Sequence, residues 1–147
     1  MAIFNIYMAY GGTNWGNLGQ SGGYTSYDYG AAIREDRTLL REKYYEAKLI
    51  AQFMVSSPAY LTATPGNLTN GTFANTSAVS ATPVIAEDGS GFYVVRHSDY
   101  TTLDETPFVF TVPVRGGGNV TIPQLGGGLV LNGRDSKMMV SGPISEW

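Results

Sequence analysis

The sequence predicts a mixed α/β chain in two unequal parts: one strand–loop–helix unit, then antiparallel β-structure. Three observations carry that expectation. A near-continuous apolar run at residues 2–10 stops at Gly11-Gly12. A charged stretch at residues 38–54 has helical spacing of its apolar positions. Beyond residue 90, short apolar runs alternate with glycine-rich turns.

Residues 2–10 (AIFNIYMAY) show no polar alternation. A strand buried on both faces reads this way, as in a parallel sheet. The β-branched and aromatic content favours that strand over a short buried helix. Residues 11–30 hold seven of the 19 glycines together with Trp15, Tyr24, Tyr27 and Tyr29, and follow no period. They predict a long ordered loop, and such loops carry function when a rigid scaffold holds them. Leu40, Tyr44, Ala47, Ala51 and Met54 form one apolar stripe, predicting a helix over 38–54 with Thr38 as its N-cap. Pro58 ends it, because the residue before a proline avoids α geometry. One such unit cannot bury its own sheet strand, which needs a neighbour on each side. This third of the chain is therefore expected to be part of something larger.

Residues 59–86 carry no charge and are rich in Thr, Ser, Asn and Pro. They read as a linker followed by weak strands. Strands are predicted at 92–96, 107–114, 119–125, 129–131 and 136–140. Asn132-Gly133, between two apolar runs, predicts a hairpin with a type I′ turn. The glycine triplets 116–118 and 126–128 mark further turns.

Composition excludes several classes of function. The 147 residues suit one domain or pieces of two. Nine basic and 12 acidic side chains give a net charge of −3, with no basic stripe to meet phosphates, so nucleic acid is not an expected partner. The absence of cysteine removes disulfides, thiolate zinc sites and a Cys nucleophile. A single histidine, His97, removes any multi-histidine metal site, and no cofactor or metal is expected. No apolar run is long enough to span a membrane, and the first residues lack the basic region of a signal peptide.

The chemistry-bearing residues are few. The run from Gly11 to Gly16 has neither GxGxxG nor a following Gly-Lys-Ser/Thr, so a phosphate cradle is not expected. His97 sits between Arg96 and Ser98-Asp99, but neighbours on a strand face opposite sides and cannot converge as a triad. It is expected at the surface. Glu35, Asp36, Glu42 and Glu46 are assigned to the start and solvated face of the helix. Asn67, Asn70, Asn75 and Asn119 each head an Asn-X-Ser/Thr tripeptide, which fits a secreted glycoprotein. Tyr7, Tyr10, Trp15, Tyr24, Tyr27 and Tyr29 interleave with Asn14 and Asn17. Flat apolar faces with polar edges suit the C–H faces and hydroxyls of sugars, but composition alone favours packing of the loop onto its own scaffold for most of these rings.

The stretch FNIYMAYGGTNWGNLGQSGGYTSYDYGAAI resembles the fungal members of glycoside hydrolase family 35, the large β-galactosidases. The likeness continues through REKYYEAKL, SPAYLTATPGNLT, FYVVRHSDY, VTIPQLGG and LVLNGRDSK, and fades in the tail. The resemblance implies that residues 1–58 are the last βα unit of a catalytic (β/α)8 TIM barrel. Residues 59–147 would be the linker and first strands of the following antiparallel β domain. It implies that Tyr29 hydrogen-bonds galactose in the −1 subsite and that Tyr7 lines the same pocket. Tyr27, Asp28 and Trp15 match the motif as supporting residues, while Tyr10 stands where the family usually has Phe.

Activity in the family rests on two glutamates from earlier barrel strands, and no glutamate precedes Glu35 here. The resemblance thus implies a retaining exo-β-galactosidase, secreted, of which this chain is a fragment or an incomplete gene product without the catalytic pair. Its expected partners are a β-galactoside and the remainder of the enzyme. A non-catalytic galactoside-binding or remnant protein is the alternative.

Overall fold

The computed structural model describes residues 5–16, 18, 19, 22–114 and 116–142. The chain divides into two compact units, Met1–Ser56 and Ser57–Trp147.

In the first unit, residues 5–9 are not the buried strand that the apolar run predicts. They form no strand, and Tyr7 is 77% exposed. Only Tyr10 bridges in parallel to Ile33, where Ile33 N–H donates to Ala9 O (3.1 Å) and Gly11 N–H to Ile33 O (2.8 Å). The reason is physical: a doubly buried parallel strand takes its hydrogen bonds from flanking strands, and no such strands occur among the described residues of this unit. The rest of the predicted strand, residues 2–4, lies outside the described residues.

Helix α1 is Arg41–Ser56 and starts after the expected Thr38. Thr38 does not cap it. Its N–H (2.9 Å) and hydroxyl (2.6 Å) donate instead to Asp36 Oδ1, closing a tight turn before the helix. No α1 residue is fully buried. Of the predicted stripe, Leu40, Tyr44, Ala47 and Met54 are half-buried and Ala51 is exposed.

The second unit opens with the short helix α2, Pro58–Thr62, whose first-turn proline costs no helical hydrogen bond. Among the described residues nine strands follow: β1 Thr64–Pro65, β2 Thr69–Asn70, β3 Val79–Ile85, β4 Gly91–His97, β5 Glu105–Phe108, β6 Phe110–Pro113, β7 Asn119–Ile122, β8 Leu129–Asn132 and β9 Ser136–Ser141. All their pairings are antiparallel. One sheet runs β1-β3-β4-β9, with β2 also on β3; β5 pairs β8, and β6 pairs β7.

Three expectations change here. The stretch 59–86 is more than linker and weak strands: β3 pairs along its full length with β4 and supplies the buried Val79, Ser80 and Ala81. The predicted strand 107–114 divides at Val109 into β5 and β6, which join different sheets. Asn75 fixes the break, accepting the Val109 N–H on Oδ1 (2.8 Å) while its own N–H donates to Val109 O (3.1 Å). Finally, Asn132-Gly133 turns the chain, with Gly133 at φ 58°, but closes no hairpin. Strands β8 and β9 pair with β5 and β4 instead of each other.

The core gathers Val79, Ala81, Tyr93, Val95, Phe108, Phe110, Val112 and Leu131. Its centre is aromatic: Tyr93 meets Phe110 edge-on at 5.7 Å and Phe73 at 5.1 Å between ring centroids. Such contacts add to the area these rings bury.

Candidate functional site

The candidate site is the glycine-rich loop of the first unit. Residues 12–14 and 25–27 run antiparallel as two arms of a short ribbon. Asn14 N–H donates to Thr25 O (2.7 Å), Tyr27 N–H to Gly12 O (3.0 Å), and Thr13 faces Ser26. Glycine at position 12 leaves room for the Tyr27 ring. A Cβ there would lie 2.0 Å from the Tyr27 hydroxyl oxygen, so the Tyr27 ring lies directly over the Gly12 backbone.

After the second arm the chain turns sharply. Tyr29 sits at φ 48° and Gly30 at φ 65°. The left-handed region costs a non-glycine residue roughly 1–2 kcal/mol, and such outliers persist where surrounding structure enforces them. The turn swings the Tyr29 ring to 6.4 Å from the Tyr7 ring, with the planes inclined by 48°. Both rings remain open to solvent, at 77% for Tyr7 and 59% for Tyr29.

These rings border a cleft of about 280 Å³, lined by Tyr7, Met8, Asn14, Tyr24, Tyr27 and Tyr29 with Gly23. Its chemistry is flat apolar surface edged by phenol hydroxyls and one amide. Among the described residues that line it, none carries a carboxyl group. A retaining glycosidase needs two, about 5–5.5 Å apart.

Of the residues singled out by sequence, Tyr7, Tyr27 and Tyr29 line the cleft. Trp15 does not; it sits 79% exposed away from the lining. Asp28 does not either. It is half-buried, and its Oδ2 accepts the Glu35 N–H (3.0 Å). Tyr24 and Asn14 belong to the lining and were visible in sequence only as members of the aromatic loop.

Glu35 departs from its assignment to the helix start. It precedes α1, is half-buried, and its carboxylate accepts hydrogen bonds from the Thr13 and Ser26 hydroxyls. Asp36 is fully exposed, and the Thr38 hydroxyl and N–H hold its carboxyl below the ordinary value of 3.8.

His97 is also a correction. It is buried at 6% exposure, not on the surface. It shares the inward face of β4 with Tyr93 and Val95, and Nδ1 lies 3.3 Å from the Thr106 hydroxyl. Beside it, a second concavity of about 230 Å³ is bordered by Arg96, Tyr100, Arg134 and Asp135. Asp135 stands 4.0 Å from Lys137. Among the described residues no cluster of three His, Asp or Glu could hold a metal ion, and no helix is long and apolar enough to cross a membrane.

The candidate glycosylation residues Asn67, Asn70, Asn75 and Asn119 are all exposed. Asn70 accepts the Ser80 hydroxyl on Oδ1 (2.9 Å), and Asn75 anchors Val109.

Comparison with known proteins places both halves in one context. Residues 1–54 match the family model described as glycosyl hydrolases family 35, and residues 62–142 match the one described as β-galactosidase, domain 2. A protein of Emericella nidulans named "Probable beta-galactosidase A" is 55% identical over 138 residues. The β-galactosidase A of Aspergillus oryzae is 54% identical over 140 residues, and a β-galactosidase of Aspergillus niger 54% over 141. These alignments cover 94%, 95% and 96% of this chain, but the chain spans only 14% of the length of each relative.

Proposed function

The chain belongs to the family 35 β-galactosidases, and on that premise we propose that its glycine-rich loop supplies part of the galactose pocket of a retaining exo-β-galactosidase. The observation that carries this is the cleft in which Tyr7 and Tyr29 meet across a strained turn. Tyr29 would hydrogen-bond the sugar in the −1 subsite, and Tyr7 would close the same pocket. Tyr27 and Asp28 would support them from the second arm; Trp15 would contact only a substrate extending beyond the cleft.

In this reading residues 1–58 are the last βα unit of a (β/α)8 barrel, whose active sites lie at the C-terminal ends of the strands. Residues 59–147 are the linker and first strands of the next β domain. Both glutamates needed for double displacement then come from barrel strands outside these 147 residues. No cofactor takes part, because the chemistry needs only an acid/base and a carboxylate nucleophile. Secretion and glycosylation at Asn67, Asn70, Asn75 and Asn119 belong to the same proposal.

The test has two arms. The purified 147-residue chain should not turn over a chromogenic β-galactoside. A hybrid carrying residues 1–54 in place of the matching segment of the Aspergillus niger β-galactosidase should hydrolyse it. Turnover by the chain alone, or a folded hybrid with no activity, would overturn the reading. Galactose binding by the chain without turnover in the hybrid would favour a non-catalytic galactoside-binding protein.

A further inference from the structure

The ribbon that carries Tyr27 is short, and an isolated two-stranded ribbon is marginal in water. Something else must hold its arms together. Thr13 and Ser26 face each other directly across it. In an antiparallel pair such residues point to one face, while residues one position away point to the other. Asn14 and Tyr27, which line the cleft, are therefore on the face opposite Thr13 and Ser26.

Glu35 occupies the Thr13–Ser26 face. One carboxylate oxygen accepts the Thr13 hydroxyl and the other accepts the Ser26 hydroxyl. Hydrogen bonds to an ionised acceptor are roughly twice as strong as neutral ones. Glu35 is itself anchored, its N–H donating to Asp28 Oδ2 (3.0 Å), next to Tyr27 and Tyr29 in sequence. Arg37 closes the base, Nη1 donating to Gly11 O (3.1 Å) and Glu35 O (3.3 Å).

We propose that Glu35 is a positioning residue for the galactoside cleft: its carboxylate ties the two arms of the ribbon and so fixes the gap between Tyr27 and Tyr29 on one side and Tyr7 and Asn14 on the other. It does not touch the sugar and is no substitute for the catalytic pair, since it faces away from the cleft. The inference rests on the galactoside reading of that cleft.

The test uses the hybrid enzyme and three substitutions at this tie. Glu35→Ala should raise KM and the galactose inhibition constant together by about tenfold, the loss of two charge-assisted hydrogen bonds. Glu35→Gln, whose amide can still accept from one hydroxyl and donate to the other, should stay within about threefold of the parent. Thr13→Val, which keeps its volume and removes one hydroxyl, should fall between them and serves if Glu35→Ala does not fold. A merely structural Glu35 would lower kcat through a smaller folded fraction and leave KM and the inhibition constant unchanged; that result would overturn the proposal. Tyr29→Phe is the control for the underlying reading. If Tyr29→Phe weakens galactose and the Glu35 and Thr13 variants do not, the positioning role fails alone. If Tyr29→Phe also has no effect, the galactoside reading fails and takes this inference with it.

Discussion

Tyr7 and Tyr29 line one cleft with ring centroids 6.4 Å apart, although a full glycine-rich loop separates them in the chain. Tyr29 makes this approach from a left-handed backbone, at φ 48°.

Removing the hydroxyls tests what the rings do. Tyr29→Phe in the hybrid enzyme should weaken galactose inhibition by about tenfold, the upper range for one net hydrogen bond. Tyr7→Phe should cost less, because its proposed role is to line the pocket. Inhibition kinetics with galactose separate the two.

Gly12→Ala should disturb the cleft without touching the sugar directly. The added methyl would overlap the Tyr27 hydroxyl and ring carbons, so the ring must leave its place over the backbone. We expect a rise in KM and a change in the Tyr27 ring resonances of the 147-residue chain. Unchanged resonances would contradict the placement of the Tyr27 ring over the Gly12 backbone.

The stability of the second unit should hinge on its aromatic centre. Phe110 is fully buried and contacts Phe73, Tyr93 and Phe108. Phe110→Ala should cost about 3–5 kcal/mol, a large part of the roughly 5–15 kcal/mol that holds a domain together. Urea unfolding followed by far-ultraviolet circular dichroism measures the shift in midpoint.

Two carboxyls should titrate low. The Thr101 hydroxyl and N–H hold Asp99 below 3.8, as Thr38 does for Asp36. Depressed values in the fold mean that each contributes stability above its unfolded value and loses it as pH falls through the folded value. Carbon-detected NMR titration should place both below 3.8. Thr101→Val and Thr38→Val should each return its neighbour towards that value.

The chain on its own should self-associate. Ile6, Leu18, Leu49 and Val55 are exposed in the first unit, and Met138 and Val140 lie on β9, which pairs only with β4 among the described residues. Exposed apolar surface and unpaired strand edges favour association. Light scattering should give a mass that rises with concentration; a monomer at every concentration would contradict this.

The sequence made some of this legible and hid the rest for identifiable reasons. Strand β4 was readable because Phe92 to Arg96 is a compact apolar run with β-branched residues. The same reading missed His97, although its parity with Tyr93 and Val95 placed it on the buried face. The helix was readable from its stripe, but its start was not, because the Asp36–Thr38 turn competes locally for the cap. At Asn132-Gly133 the turn was readable and the pairing was not, since partner choice is decided by the core rather than by the turn. The strand expected at residues 2–10 needs neighbours that the described residues do not contain. Within the candidate site, the tyrosines announced themselves by type. Glu35 was masked by the charged run around it, and only folding brings Thr13 and Ser26 to its carboxylate.

The most direct measurement is a crystal structure of the hybrid enzyme soaked with galactose. The account predicts the Tyr29 hydroxyl within about 3.0 Å of a sugar oxygen, a normal hydrogen-bond distance, with the Tyr7 ring lining the same pocket. Galactose bound with Tyr29 and Tyr7 both out of contact would contradict it.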